Sequence, residues 1–288
     1  KLDIKIIFIR HSEHFYCNGV IPDMEIKTYE IQTKKIKKEE KALRLVMLSD
    51  LHDRLWGEKQ KILLDAIDRL NGDLILCAGD MLIGKEQSRM ENAILFFREL
   101  GKRDVPVYCS NGNHESRMRQ QLAIYGRQYQ QYARQLRSYG IKILENETET
   151  VKIGTARLQI HGYEMPLKYY RKLCMLPYDT RDLRQKFGGI HDGDFHILLA
   201  HNPVYFETYA HWGADLTLSG HLHGGIIRLP GIGGLITPQA KLFPKYDRGL
   251  FEENGKYMVV SAGLGEHTVP IRFLNPPQLI CIVVKGTG

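Results

Sequence analysis

Several short apolar runs in this chain each end on a side chain that can hold a metal ion, and that recurrence limits the folds open to it. Leu43–Leu48 runs into Ser49-Asp50-Leu51-His52, and residues 74–77 run into Ala78-Gly79-Asp80. Residues 105–109 lead to Ser110-Asn111-Gly112-Asn113-His114-Glu115, and residues 195–199 to Ala200-His201-Asn202-Pro203. Residues 216–218 lead to Ser219-Gly220-His221-Leu222-His223-Gly224-Gly225. Short apolar runs closed by turn-forming residues read as strands buried on both faces.

The segments between the early runs have helical spacing. Over residues 59–70, Ile62, Leu63, Ala66, Ile67 and Leu70 share one side. Residues 90–100 read as a helix ending at Gly101, and residues 116–138 as one polar, Gln- and Arg-rich helix ending at Gly140. Strands alternating with helices imply βαβ units. The second half reads differently. A hairpin turns at Gly154-Thr155, a basic stretch over 165–189 has no clean period, and a short helix over 203–210 precedes the run at 216. Late strands follow at 257–261 and 279–284. Residues 1–41 read as a leader, with a short apolar run at 4–9 and an edge strand at 29–36, ahead of one domain over 42–288.

Composition narrows the class. The chain has 288 residues, long enough for one sizeable core, and no run reaches the roughly 18 apolar residues of a membrane span. Its net charge of +7 favours anions in general: phosphorylated metabolites, anionic lipid or nucleic acid. The basic cluster of Lys34, Lys35, Lys37, Lys38 and Lys41 reads as a solvated edge, with membrane contact the lesser reading. The five cysteines, Cys17, Cys77, Cys109, Cys174 and Cys281, are odd in number and widely spaced. They read as free thiols of a reducing compartment, not as a disulfide framework or a zinc site. The expected location is cytoplasmic or membrane-associated. The first residue is Lys1 rather than Met, which leaves an upstream anchor or signal open.

In open α/β sheets ligands bind beyond the carboxyl ends of the strands. The side chains gathered there are Asp50, His52, Asp80, Asn113, His201, His221 and His223, a set of oxygen and imidazole donors without thiolate. Such a set suits Mn, Fe, Zn or Co. Seven ligands exceed what one tetrahedral ion uses, so two ions are expected. A carboxylate such as Asp80 can bridge a pair of ions roughly 3.5–4 Å apart.

These motifs in order (D-x-H, G-D, G-N-H-[DE], a lone His, G-H-x-H) resemble the calcineurin-like metallophosphoesterase family, from Asp50 to His223. The resemblance implies an α/β fold, a four-layer α-β-β-α sandwich of two mixed sheets flanked by helices. It implies that Asp50, His52 and His223 hold one divalent (or mixed-valence) ion, that Asn113, His201 and His221 hold the other, and that Asp80 bridges. It implies that His114 is catalytic with Asp80, stabilising the transition state or protonating the leaving oxygen. Gly263-Leu264-Gly265, Pro270-Ile271-Arg272, Asn275-Pro276-Pro277 and the stretch over 224–238 further resemble an often membrane-associated bacterial subgroup related to UDP-2,3-diacylglucosamine pyrophosphatase. The chain departs from the family's phosphoprotein phosphatases, because Asp80 is followed by Met81-Leu82-Ile83-Gly84-Lys85 instead of their V-D-R-G.

The expectation is a hydrolase that cleaves a phosphodiester or pyrophosphate bond by metal-bound hydroxide, on a lipid- or nucleotide-linked substrate. A nuclease, a phosphomonoesterase and a non-catalytic metal-binding module stay open as alternatives. Other residues carry plainer readings. His161, His191, His196 and His211 read as surface or packing histidines, and His267 as a weak cleft candidate. Asp53 reads as a turn residue, Arg117, Arg119 and Arg127 as a solvated helix face, and Ser49 and Ser219 as backbone-bonding hydroxyls. Tyr169, Tyr170, Arg171 and Lys172 read as a surface loop that could grip a headgroup or nucleotide.

Overall fold

A computed structural model describes residues 24–171, 176–191, 193–225, 227–229, 233–236, 245–266, 272 and 275–288. The run at 4–9, Cys17, Lys172, Cys174, His267, Pro270 and Ile271 lie outside the described residues, as do parts of the stretch 224–238. In chain order the regular elements are β1 (Glu25–Thr33), β2 (Leu43–Leu48), α1 (Lys61–Leu70), β3 (Leu74–Ala78), α2 (Glu91–Leu100) and β4 (Val107–Ser110). Next come α3 (Asn113–Gln120), α4 (Leu122–Tyr125), α5 (Gln128–Ser138), β5 (Lys142–Leu144), β6 (Thr148–Ile153) and β7 (Ala156–Tyr163). Then follow α6 (Arg181–Phe187), β8 (Phe195–Ala200), α7 (Phe206–Trp212) and β9 (Leu216–Ser219). The last are β10 (Ile227–Leu229), β11 (Gly233–Ile236), β12 (Gly249–Glu253), β13 (Lys256–Val260) and β14 (Gln278–Gly286).

Two mixed sheets carry the molecule. The first has the order β1-β14-β2-β3-β4-β5, and the second β12-β13-β9-β8-β7-β6. Strands β2, β3, β4 and β5 run parallel, as do β7, β8, β9 and β13, so each sheet has a parallel centre. Side-chain alternation along the strands builds the layers. In β2, Leu45 and Met47 join Ile197 and Leu199 of β8 in an apolar layer between the sheets. Val46 and Leu48 point the other way, into a core with Leu63, Ile67, Phe96, Phe97 and Leu136 of the helices. On the far side of the second sheet, Leu198 and Ala200 pack with Leu183, Tyr209 and Trp212. The result is the four-layer sandwich expected, and strands buried on both faces explain why their sequences are continuously apolar.

The expected hairpin is β6–β7. The edge strand expected at 29–36 is β1, shifted toward the N-terminus and paired parallel with β14 over Glu25–Thr33. Two readings change. The single helix expected over 116–138 is three helices, because Gln121 leaves helical geometry (φ −105°, ψ 62°) and Gly126 adopts φ 55°, ψ −132°. Strands β5 and β12 were not expected; β5 spans three residues and β12 lies half-buried at a sheet edge. Cys77 and Cys109 face each other across β3–β4 as buried free thiols, and Cys281 is likewise buried and free. Among the described residues no helix is long and apolar enough to cross a membrane.

Candidate metal centre

The turns after β2, β3, β4, β8 and β9 meet at one edge of the sandwich. They bring together Asp50, His52, Asp80, His201, His221 and His223, and Asn113 precedes the residue whose N–H bonds Asp80 Oδ1. Asp50 Oδ1 lies 3.2 Å from His223 Nε2 and 3.8 Å from His52 Nε2. Asp80 Oδ2 lies 3.0 Å from His201 Nε2. Asp50, His52 and His223 form one group whose donor atoms could share an ion, and Asp80, His201 and His221 form another. Asp50 Oδ1 is also 3.7 Å from His201 Nε2, so the two groups adjoin.

The local backbone is bent to achieve this. Asp50, His52, Asp80, His221 and His223 all adopt positive φ, between 48° and 70°. Non-glycine residues there carry strain of about 1–3 kcal/mol each, a cost concentrated at functional sites. Glycines beside the ligands allow close approach. A side chain at Gly220 would collide with Ser49 Oγ and Asp50 Oδ2, and one at Gly112 with Asp80 Oδ1.

Hydrogen bonds then aim the rings. His52 Nδ1 donates to Leu82 O at 3.1 Å, and His201 Nδ1 donates to Ala78 O at 2.6 Å, since a carbonyl can only accept. When neutral, each ring therefore carries the lone pair of Nε2 toward the site, the arrangement that metal-binding histidines use. His114 is set the opposite way. Its Nδ1 accepts from the Gly84 N–H at 2.7 Å, so the neutral ring carries its proton on Nε2, 3.8 Å from Asp80 Oδ2. The His114 side chain keeps 14% of its surface open, against 0–6% for His52, His201 and His223.

Among the seven candidate ligands, two buried atoms have no hydrogen-bond partner: Asn113 Oδ1 and His201 Nε2. The latter sits 3.0 Å from a carboxylate yet out of line for a hydrogen bond. Orphaned acceptors of this kind, together with two buried carboxylates, fit a bound cation. The electrostatics agree. Burial works against charge on His201, but the Asp80 and Asp50 carboxylates overcome it and push its pKa up to about 10. Burial, reinforced by His223, pushes His52 down to about 3. The donor set is oxygen and nitrogen only, as expected for Mn, Fe or Zn.

A supporting layer surrounds the ligands. Glu115 Oε2 accepts from the N–H groups of Asp80 and Gly112, both at 3.0 Å, and Oε1 from Leu82 N at 2.8 Å. Burial and the Asp80 charge push the Glu115 carboxyl up to about 7 against those donors. Ser219 Oγ bonds Ala200 O, as expected. Ser49 does not bond backbone; its hydroxyl donates to the Asp50 carboxylate, which follows because positive φ at Asp50 turns that side chain back.

Other singled-out residues lie elsewhere. His161 and His196 are a buried stacked pair, and His191 and His211 are exposed. Asp53 Oδ1 caps the start of α2 through Ala93 N at 2.7 Å. Arg119 pairs with Glu164, Arg117 Nη1 reaches Gly84 O at 3.4 Å, and Arg127 is exposed. In the basic cluster, Lys35 bonds Asp215 and Asp194 O, both at 2.7 Å, and Lys41 pairs with Asp73. Among the described residues of its stretch, Tyr170 meets the site, edge-on to His221 with ring centres 4.9 Å apart. Its aromatic type was the available signal, but nothing in the spacing tied it to residue 221.

Residues 43–225 match the family model described as calcineurin-like phosphoesterase. The chain belongs to that family. Calcineurin-like phosphoesterases are metal-dependent hydrolases of phosphoester bonds, and the family implies a dinuclear divalent centre. The chain is 26% identical over 279 residues to the uncharacterized metallophosphoesterase YkuE of Bacillus subtilis, covering 95% of this chain and 90% of the relative. It is 25% identical over 270 residues to an uncharacterized metallophosphoesterase of Aquifex aeolicus, covering 92% and 93%. Among solved structures it is similar to a Thermus thermophilus sulfate thiohydrolase, SoxB, with a TM-score of 0.48 and 13% identity over 85% of this chain and 57% of that one.

Proposed function

We propose that this phosphoesterase cleaves a phosphodiester or pyrophosphate bond in a lipid- or nucleotide-linked substrate. One observation carries the reading: two adjoining ligand groups, in which the ring hydrogen bonds of His52 and His201 leave Nε2 facing the site, and beside them His114, whose Nδ1 accepts from the Gly84 N–H and leaves an N–H on Nε2. Asp50, His52 and His223 form the first ion site, and Asn113, His201 and His221 the second, with Asp80 between. Divalent ions bound there acidify a water and neutralise phosphoryl charge.

The remaining work falls to the chain. Asp80 is held from its own backbone by Glu115 and from the His114 N–H at 2.9 Å, which fixes the spacing of the two sites. His114 Nε2–H donates to a phosphoryl or leaving-group oxygen and transfers its proton as the bond breaks. Tyr170 forms a wall beside His221. The tail residues Gly263-Leu264-Gly265 and Asn275-Pro276-Pro277 support the preference for a diester or pyrophosphate through the pyrophosphatase-related resemblance.

The test is turnover of bis(p-nitrophenyl) phosphate and of a nucleoside diphosphate conjugate with added Mn. Both should be hydrolysed, and Asp80→Asn should hydrolyse neither. Turnover of monoesters alone would overturn the diester and pyrophosphate reading.

A further inference from the structure

The segment from Gly263 to Asn275 lies outside the metal-ligand motifs and outside the span matched to the family, yet its described residues reach the metal centre from behind. Asn275 is 2% exposed and its amide is saturated. Nδ2 donates to His223 O at 2.5 Å and Gly225 O at 2.8 Å, and Oδ1 accepts from Arg248 Nη1 at 3.0 Å. Between those two carbonyls sits Gly224 at φ 68°, where a Cβ would fall 2.6 Å from Asn275 Oδ1. Both sides of this turn are therefore set by one amide.

Arg272 works beside it. Its guanidinium donates to Ala262 O at 2.8 Å and to Gly265 O, and Nη2 lies 3.3 Å from His223 Nδ1. Arginine's planar fork suits such simultaneous bonds in a way an ammonium does not. The bonds hold Gly263 and Gly265 against the other side of the site. Leu264 N donates to Ser49 O at 3.0 Å and Gly265 N to Asp50 O at 2.6 Å. A Cβ at Gly263 would lie 2.7 Å from Asp50 Cβ and 3.2 Å from His223 Nδ1. The segment's contacts with the site thus fall on residues 49–51 and 223–225.

We infer that Arg272 and Asn275 are positioning residues that hold the first ion site, made of Asp50, His52 and His223, as a unit distinct from the second. They touch no reacting atom and act on His223 through its carbonyl (Asn275) and its ring Nδ1 (Arg272), and on the loop of Asp50 through Gly263 and Gly265. Such outer-shell partners typically change metal affinity by about 10–100-fold when replaced. The inference rests on the two-ion reading above.

The experiment is Mn titration of the metal-free full-length chain, with free Mn followed by electron paramagnetic resonance and bound Mn by elemental analysis. The variants are Asn275→Asp, which keeps the shape and removes both donors, and Arg272→Lys, which keeps the charge and loses the fork. Wild type should bind two Mn. Each variant should keep one site at wild-type affinity and weaken the other at least tenfold, with metal-free unfolding temperatures close to wild type. Arg272→Lys alone carries the test if Asn275→Asp does not fold. Two sites at unchanged affinity, or equal weakening of both, would overturn this inference while wild type still binds two ions. A wild type that does not bind two Mn would overturn the two-ion reading and this inference together.

Discussion

His52, His201 and His114 lie within one small site, but their second ring nitrogens meet opposite backbone groups. Carbonyls of Leu82 and Ala78 accept hydrogen bonds from His52 and His201, whereas the Gly84 N–H donates one to His114. Two rings are thereby prepared as ligands and one as a donor. Replacing His114 by Asn should leave bound Mn at the wild-type level and lower kcat by roughly 10²–10⁴, the usual share of a general acid. The loss should be larger for a diester with an alkoxide leaving group than for a nitrophenyl ester, whose leaving group needs no proton. Steady-state kinetics across a leaving-group series checks this; an equal loss throughout would rule out proton transfer. The residue types and their order could be read from the chain, and six of the seven candidate ligands fall in the two adjoining donor groups. Ring orientation could not, because Leu82 and Gly84 act through backbone groups that carry no sequence signature.

At the scale of elements, the central strands were legible because burial on both faces leaves them few polar positions, none in β3 and only His196 in β8. Strand β12 was not, since an edge strand with mostly half-buried residues needs no apolar run. The polar stretch after β4 misled for another reason: helix formers on both sides of Gly126 mask the break. That glycine has φ 55°, and a Cβ there would meet nothing within 4 Å. Gly126→Ala therefore isolates backbone strain from packing. A strain of about 1–3 kcal/mol for a non-glycine residue in so sparsely populated a region outweighs the roughly 0.4–1 kcal/mol gained from a stiffer unfolded chain. The urea midpoint should fall modestly while turnover with saturating Mn stays at wild type, because Gly126 is no ligand and its neighbour Tyr125 meets the site only through the carbonyl of Gly84. A midpoint equal to or above wild type would mean that Gly126 is not held at positive φ in solution.

For the whole molecule, the decisive fact is that neither sheet owns the site. Asp50, His52, Asp80 and Asn113 follow strands of the first sheet, and His201, His221 and His223 follow strands of the second. Each proposed ion site draws on both, so a bound ion cross-links the two halves of the sandwich at the edge where the backbone is most strained. Unfolding separates those ligands, and binding to the folded form alone stabilises it by RT ln(1 + [L]/Kd), about 2.7 kcal/mol for one site at a hundredfold excess over Kd. Chelation should therefore lower the thermal unfolding midpoint by several degrees, and added Mn should restore it with a logarithmic dependence on concentration. Asp80→Asn removes the carboxylate placed between the sites and should flatten that dependence, even though its own metal-free midpoint need not fall. Calorimetry of wild type and variant with and without chelator makes the comparison. A wild-type midpoint indifferent to Mn would mean that the ions, if they bind, do not bridge the sheets, and the assignment of ligands across both halves would have to be abandoned.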